Sequence, residues 1–230
     1  MTRPFQGNLM CVGGFFTCAI TAEARVKCWG DGTDGRTGME RTDFVGDEVF
    51  EMGDFLPLIN LGSPQPEVTS LACSDKLACA LLSTGTVRCW GQKGANGGTG
   101  QYEFEASSGN ALGTMGVMLP PTQLPSGRSA TSISCGSEHC CVVLDDGNAF
   151  CWGKNDQGQL GDGGYNLEFL GTRNAGGDVV YDGRKLTPDD FSSVDLPPGR
   201  TVLKIACGKV HTCCILDDES VVCWGEMTKA

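Results

Sequence analysis

The stretch CVVLDDGNAFCWG, residues 141–153, decides the fold of this chain. It contains two cysteines separated by nine residues, a turn sequence between them, and a Trp-Gly pair directly after the second cysteine. The same phrase occurs four times, at residues 18–30, 79–91, 141–153 and 213–225. A fixed phrase that returns along a chain indicates a repeat protein. Such proteins present extended binding surfaces more often than one catalytic pocket.

Each phrase follows a short apolar run that ends in cysteine, so the repeat hairpins span residues 11–30, 73–91, 135–153 and 207–225. A fourth apolar run lies upstream of repeats two to four, at 56–61, 121–124 and 191–196. Four short strands per repeat predict an all-β fold, a β-propeller of four-stranded antiparallel blades. We expect one propeller domain over residues 1–230, with surface loops at 31–55, 92–118 and 154–187.

The turns fix the register of the hairpins. Residues 83–85 and 145–147 fit three-residue hairpin loops with glycine at the left-handed position. Ala24 and Glu219 occupy that position in repeats one and four, so we expect strained turns there. The register places the two cysteines of each phrase directly opposite each other, with Cα atoms about 4.5 Å apart, which a disulfide can span.

We therefore expect four disulfides, with buried reduced pairs as the alternative: Cys18–Cys28, Cys79–Cys89, Cys141–Cys151 and Cys213–Cys223. Disulfides form in oxidising environments. This favours an extracytoplasmic compartment, which includes the cell exterior, the cell surface and an organelle lumen. No signal peptide is visible at the start of the chain, which argues the other way.

Six cysteines remain outside these pairs: Cys11, Cys73, Cys135, Cys207, Cys140 and Cys214. The first four recur at one position of the repeat, and we expect them to pack as small apolar side chains. The links Cys135–Cys140 and Cys207–Cys214 stay open, because sequence does not assign pairing.

His139 and His211 precede cysteines and raise the question of zinc, but no paired Cys-x2-Cys knuckle accompanies them. We predict no metal and no cofactor. The two histidines stand at equivalent repeat positions, which indicates a structural role. We expect the same of the recurring tryptophans, largely buried: Trp29, Trp90, Trp152 and Trp224.

The composition limits the classes of partner. The chain has 28 acidic and 17 basic residues, a formal net charge of −11. Nucleic-acid-binding proteins carry basic faces, so we expect no nucleic acid partner. No apolar stretch is long enough for a transmembrane segment. No constellation of nucleophile and base is present, so we expect a protein without enzymatic activity.

Residues 135–161 resemble the repeat of the regulator of chromosome condensation family. The resemblance lies in a Gly-x-x-His, an Asp-Gly turn, a Trp-Gly and the ending Asn-x-x-Gly-Gln-Leu-Gly. Leu77 and Phe16 replace the histidine in repeats two and one. The family forms propellers that usually have seven blades, and two cysteines per blade resemble its extracytoplasmic or uncharacterised members. Four repeats then form an incomplete arc, in a longer polypeptide or a multi-subunit assembly, with a closed four-bladed ring as the alternative.

The best functional hypothesis is a non-catalytic interaction or scaffold module that binds a partner protein through its loops. Aromatic residues on two long loops are the candidate contacts: Phe44, Phe50, Phe55, Phe169 and Tyr181. The resemblance also implies two alternatives. One is a guanine-nucleotide exchange factor for a small GTPase, like the family's founding member. The other is an enzyme-inhibitory propeller.

Overall fold

A computed structural model describes residues 7–92, 108–161 and 194–226, and the backbone of three short strands between residues 172 and 185. Its contacts divide the chain into two compact units. The described part of the first unit comprises residues 7–92 and 108–122, with repeats one and two. The described part of the second unit begins at residue 123 and contains repeats three and four. The single domain over residues 1–230 stays a prediction.

The first unit has two antiparallel sheets, each with its second strand in the middle. The strands of repeat one are β1 (Met10–Val12), β2 (Phe16–Ile20) and β3 (Val26–Gly30). The strands of repeat two are β4 (Val68–Cys73), β5 (Leu77–Leu82) and β6 (Val87–Gly91). Every residue of β5 is buried because sheet neighbours and packed side chains cover both of its faces.

The second unit contains the two equivalent sheets of repeats three and four. The strands of repeat three are β7 (Ala130–Cys135), β8 (His139–Leu144) and β9 (Ala149–Gly153). The last repeat is built from β13 (Val202–Cys207), β14 (His211–Leu216) and β15 (Val221–Gly225).

The register predicted from the turns is confirmed in repeat two. The Leu82 N–H donates to the Thr86 carbonyl at 2.9 Å, which closes the hairpin. Leu81 then lies opposite Val87, and Cys79 lies opposite Cys89. In the other three repeats, the same spacing places the two cysteines of the phrase directly across from one another.

The hairpin turns require a left-handed backbone at one position. Gly85 and Gly147 have φ of 79° and 81° there, which glycine adopts without steric penalty. Ala24 and Glu219 hold the same position with φ of 58° and 66°. The strain expected in these two turns is therefore present, since side chains disfavour this region.

The prediction of four strands per blade is wrong in the described residues, where each repeat sheet has three strands. The fourth apolar runs lie beside the third strands but make one ladder-like bond each. Ile59 donates to Val26, and the two equivalent bonds are Thr122 to Val87 and Val194 to Ala149, at 2.8–3.0 Å. Prolines within two of these runs, at positions 57 and 121, remove backbone donors and keep the segments from forming a ladder.

The region 154–187, expected to be a surface loop, contains a fifth sheet. Its three short strands are β10 (Thr172–Arg173), β11 (Val179–Tyr181) and β12 (Arg184–Lys185). Tyr181 pairs with Arg184, so two residues separate the strands. Those residues are Asp-Gly in the sequence, a strong hairpin signal after a Val-Val-Tyr run.

Each unit has its own apolar core. In the first unit Trp90, Leu71 and Val26 pack with Ile59 and Leu61, which belong to the apolar run at 56–61. In the second unit Leu216 and Val143 pack with Val194. None of the helical turns in the part of the chain that the structure describes has the length or apolar character of a membrane span.

Candidate protein-binding surface

The tryptophans tie neighbouring repeats together inside each unit. The indole Nε1 of Trp90 in repeat two donates to the Arg36 carbonyl of repeat one at 3.1 Å. In the second unit Trp224 donates in the same way to the Gln159 carbonyl of repeat three, at 2.9 Å. Arg36 and Gln159 each stand seven residues after the tryptophan of their own repeat. The bond is therefore a recurring link from one repeat to the next.

Glycine closes the loop under each of these indoles. A Cβ atom on Gly38 would lie 2.9 Å from Nε1 of Trp90, and one on Gly161 would lie 2.6 Å from Nε1 of Trp224. Both glycines also have a left-handed backbone, with φ of 67° and 70°. The last glycine of the Asn-x-x-Gly-Gln-Leu-Gly motif is thus required by the tryptophan of the following repeat.

The expectation of four largely buried tryptophans holds for two of them. Trp90 is 0% exposed and Trp152 is 4% exposed. Trp29 and Trp224 are half-buried. Trp224 is more exposed because its strand, β15, has an open edge. The fourth runs cover the equivalent edges of β3, β6 and β9, but no segment among the described residues covers β15.

The structure brings six pairs of cysteine sulfurs to disulfide distance. Four are the cross-strand pairs expected from the repeat phrase, each with Cα atoms 4.1 Å apart. Cys135–Cys140, left open by the sequence, also pairs within repeat three. Cys11 and Cys73 form a pair that joins repeats one and two, with Cα atoms 5.4 Å apart.

Cys11 does not share the repeat position of Cys73, Cys135 and Cys207, contrary to expectation. Cys11 lies opposite Cys18, whereas Cys73 lies opposite Ala78. The β1–β2 and β4–β5 loops have the same length, but Cys11 lies seven residues before Cys18, whereas Cys73 lies six before Cys79. Cys11 therefore holds the preceding register position, and its side chain reaches the next repeat. Cys11 and Cys73 thus pair with each other instead of packing only as small apolar side chains, and Cys135 makes the link to Cys140 that the sequence left open.

In the second unit Ser134 holds the position of Cys11, and Cys207 holds the position of Cys73. The Cys207 N–H donates to the Ser134 Oγ at 3.0 Å, and the Cys207 thiol donates to the Ser134 carbonyl at 3.3 Å. A hydrogen-bonded pair thus replaces the disulfide that joins the repeats of the first unit.

Ser134→Cys is expected to form a disulfide with Cys207 and to raise the free energy of unfolding by about 4 kcal/mol in the chain-entropy model. The reason is the matching register of Cys11 and Cys73. Mass spectrometry of unreduced peptides identifies the bond, and chemical denaturation gives the stability. Ser134→Ala is the control, expected to lose stability. A free Cys207 thiol in the Ser134→Cys protein would contradict the assigned register.

His139 packs as a structural residue in the second unit. It is 1% exposed, and its ring covers Gly136, where a Cβ atom would clash with it. Its Nε2 lies 2.9 Å from the Thr212 Oγ1, and that hydroxyl donates to the Gln159 carbonyl at 3.0 Å. The Nε2–H is therefore the donor to Thr212, and Nδ1 is the unprotonated nitrogen. The same carbonyl of Gln159 accepts the Trp224 bond, so histidine and tryptophan hold one loop together.

Burial, and then the charge of His211, lower the pKa of His139 to about 4. In the unfolded chain His139 binds a proton near pH 6.5, whereas in the folded chain it stays neutral down to about pH 4. The free energy of unfolding is therefore expected to fall as the pH is lowered from 6.5 to 4. One proton limits the slope to about 1.4 kcal/mol per pH unit. Denaturation at pH 7 and pH 5 measures it. Repeat one has Phe16 at the position equivalent to His139. The His139→Phe variant should therefore lose the part of the pH dependence that comes from His139. An unchanged slope would exclude His139 as its source.

The two unpaired thiols of the described residues, Cys207 and Cys214, are poor nucleophiles. Burial raises the pKa of Cys207 to about 11 and raises that of Cys214 as well. A thiol with a raised pKa stays protonated near neutral pH. Cys207, Cys141 and His139 have ligand atoms within 4.8 Å of one another. The Cys141 sulfur is at disulfide distance from Cys151, which leaves two of the three donors for a cation while that bond is closed.

The first unit carries a loop at residues 43–58, which we call the phenylalanine loop. Val45 anchors one side through two backbone bonds with Gly30, at 2.8 and 2.9 Å. Leu56 anchors the other side and is 3% exposed. The Lys27 Nζ on β3 donates to the Gly53 carbonyl at 2.8 Å. The loop is therefore tied to β3 by hydrogen bonds at two places, and Leu56 is buried near its end.

Glu51 organises the interior of the phenylalanine loop. Its Oε2 accepts the Gly46 N–H at 2.8 Å and the Glu48 N–H at 3.4 Å. Its other oxygen contacts the Arg41 guanidinium at 3.3 Å. The Gly46 bond, together with Glu48 and Arg41, lowers the pKa of Glu51. The carboxylate is thus ionised near neutral pH and holds the turn that carries Phe50.

The aromatic side chains of this ordered loop face the solvent. Phe44, Phe50 and Phe55 are 58%, 74% and 64% exposed. The rings of Phe50 and Phe55 meet edge to face, with centroids 5.1 Å apart. Phe50 has φ of 67°, an outlier for a bulky residue. Strained backbone that presents an apolar ring to water makes this loop a candidate binding site.

The structure thus brings two of the predicted contact residues, Phe50 and Phe55, into one cluster and places Phe44 on the same loop. Phe169 and the side chain of Tyr181 lie outside the described residues. Glu51 and Lys27, which shape the loop, were not identified from the sequence, and neither were the carbonyls of Arg36 and Gln159. Backbone acceptors leave no mark on residue identity, but the glycine two positions later was a usable signal.

Comparison with known proteins accounts for this architecture. A family model described as the regulator of chromosome condensation (RCC1) repeat matches at residues 9–36, 68–97, 130–159 and 202–229. A second model of the same repeat matches residues 146–215. Together the matched segments contain all four repeat phrases.

Curated relatives include the human E3 ubiquitin-protein ligase HERC2, 30% identical over 85% of this chain and 3% of that protein. The guanine nucleotide exchange factor SRM1 of Saccharomyces cerevisiae is 26% identical over 93% of this chain and 43% of that protein. The chain thus spans less than half the length of either relative.

Two crystal structures are also similar. Human WBSCR16 aligns over 97% of this chain and 49% of that chain, with a TM-score of 0.67 and 18% identity. Yeast RCC1 (Prp20), solved with Kap60, aligns over 94% of this chain and 42% of that chain, with a TM-score of 0.58 and 24% identity. The chain therefore belongs to the regulator of chromosome condensation repeat family, whose fold is the β-propeller.

Proposed function

We propose that this chain is a non-catalytic module that binds a partner protein through its phenylalanine loop. The observation that carries the proposal is the combination of an anchored loop with exposed aromatic rings. Ordered aromatic side chains lose little entropy on binding, and they are common anchors of protein interfaces. Buried anchors at Val45 and Leu56 hold the loop in place before any partner arrives.

Capture from an extract of the native cells tests this proposal. The bait is the immobilised protein, compared with a variant that carries both Phe50→Ser and Phe55→Ser. Both side chains are exposed, so the variant should fold. Leu112→Ser, at a 90% exposed leucine outside the loop, is the matched control. We expect a protein that wild type and control retain and the double variant loses. An identical set of retained proteins for all three baits would reject the loop as the binding site.

A second candidate function is nucleotide exchange on a small GTPase. It is favoured by one observation, the alignment of 93% of this chain with a relative named as a guanine nucleotide exchange factor. The rate at which labelled GDP leaves a small GTPase of the same organism tests it. Acceleration by catalytic amounts of the chain would establish this function in place of simple binding.

We also propose that the protein works in an oxidising compartment and as part of a larger assembly or polypeptide. Six cysteine pairs at disulfide distance support the first proposal. The greater length of the relatives supports the second, since the chain covers less than half of each. Mass measurement of the native particle tests the assembly, and a native mass equal to that of this chain alone would reject it.

A further inference from the structure

The apolar cluster of the phenylalanine loop lies among carboxylates. Residues 43–58 contain five acidic side chains and no lysine or arginine. Four of the five are exposed, at Asp43, Asp47, Glu48 and Asp54. Within the described ranges no cation forms an ion pair with the last three. The loop therefore presents apolar rings and unpaired negative charge on the same surface.

From this we infer the chemistry of the partner, and the inference rests on the proposed binding function. We propose that the phenylalanine loop binds a cationic apolar segment of another protein, in which aliphatic or aromatic side chains alternate with lysine or arginine. The apolar side chains would cover Phe50 and Phe55, and the cations would lie against Asp47, Glu48 and Asp54. Complementary charge sets orientation and association rate, while the buried rings supply affinity.

The same charges disfavour the other occupants of such a surface. A second copy of this chain would bring an identical set of carboxylates, on a molecule with net charge −11, against the first. Anionic lipid and nucleic acid would be repelled in the same way. An uncharged apolar partner would leave the carboxylates partly desolvated without a counter-charge, which is unfavourable.

A second loop of the first unit, at residues 108–119, also presents exposed apolar side chains. In repeat two Arg88 donates to the Gly116 carbonyl at 2.8 Å, as Lys27 does to Gly53 in repeat one. Val117 and Met118 follow Gly116 and are 70% and 68% exposed. This second site lacks the acidic residues, because residues 108–119 contain no aspartate or glutamate. It is therefore an internal comparison that separates apolar exposure from charge.

The test uses three synthetic peptides of equal length and the whole protein. One peptide alternates leucine and lysine, the second leucine and glutamate, and the third serine and lysine. We expect only the leucine–lysine peptide to bind, with an affinity that falls as salt is raised to about 0.5 M. Phe50→Ser with Phe55→Ser should weaken binding about tenfold, and so should Asp47→Asn with Glu48→Gln.

The controls are Met118→Ser at the second site and Asp75→Asn at an exposed carboxylate elsewhere in the first unit. Both should bind the leucine–lysine peptide within about twofold of wild type. Equal binding of the leucine–glutamate or serine–lysine peptide would overturn the inference, as would no binding of any peptide. Capture of a partner that the double phenylalanine variant loses, with none of the peptides bound, would keep the binding function and reject the cationic partner.

Discussion

Trp90→Ala is expected to lower the free energy of unfolding by about 3–5 kcal/mol, the range for loss of a fully buried tryptophan. Trp90 is 0% exposed and packs in the core of the first unit. The change also removes the donor to the Arg36 carbonyl, which lies in a buried loop. A cavity and an unpaired carbonyl then act together.

Chemical denaturation followed by far-ultraviolet circular dichroism measures this effect, since it does not depend on the indole that is lost. Trp29→Ala, at the half-buried equivalent, is the matched comparison and should lose less. Trp90→Phe keeps most of the packing but lacks the indole N–H. Its free energy of unfolding should therefore fall by about 1 kcal/mol more than the loss of packing explains. A loss below about 1 kcal/mol for Trp90→Ala would refute the role of this tryptophan as a link between repeats.

The second large effect is expected from removing one repeat disulfide. Replacing Cys79 and Cys89 together by alanine opens a loop with a sequence separation of 10. The chain-entropy model predicts a loss of about 3 kcal/mol for a loop of this size. Both sulfurs are fully buried, so the loss of packing adds to it.

Denaturation with and without a reducing agent measures this effect. Without reductant the double variant should unfold at a lower denaturant concentration than the wild type. With reductant the difference should shrink, because the wild type then loses the same bond. Cys214→Ala, at a buried thiol that the described residues leave unpaired, is the control for packing alone. An equal difference under both conditions would show that the two thiols are reduced in the wild type.

The sequence was sufficient to predict the local units of this fold. The nine-residue cysteine spacing and the glycine turns determine the hairpin register, because side chains alternate strictly along a strand. Cys79 opposite Cys89 follows from counting alone. The structural place of Ala24 and Glu219 follows from the same count.

Features that depend on a one-residue offset or on backbone atoms were not predicted. Cys11 stands one register position earlier than Cys73 and so meets it, but the equal spacing of 62 residues from Cys11 to Cys73 and from Cys73 to Cys135 conceals this offset. The fourth runs have the composition of strands, but in the described part of these runs only Ile59 and its equivalents donate to the third strands. The phenylalanine loop was visible in the sequence as a cluster of phenylalanines. The anchoring of this loop was not visible, because it depends on the Glu51 carboxylate accepting from the Gly46 N–H and on Lys27 Nζ donating to the Gly53 carbonyl.

The central claim is that one recurring phrase encodes both a hairpin and the covalent bond across it. Peptide mapping of the native, unreduced protein, with free thiols alkylated first, tests this claim most directly. The account predicts linked peptides for 18–28, 79–89, 141–151 and 213–223, and alkylated Cys207 and Cys214 after denaturation. Alkylation at most of the eight paired positions would contradict the account and the oxidising compartment together.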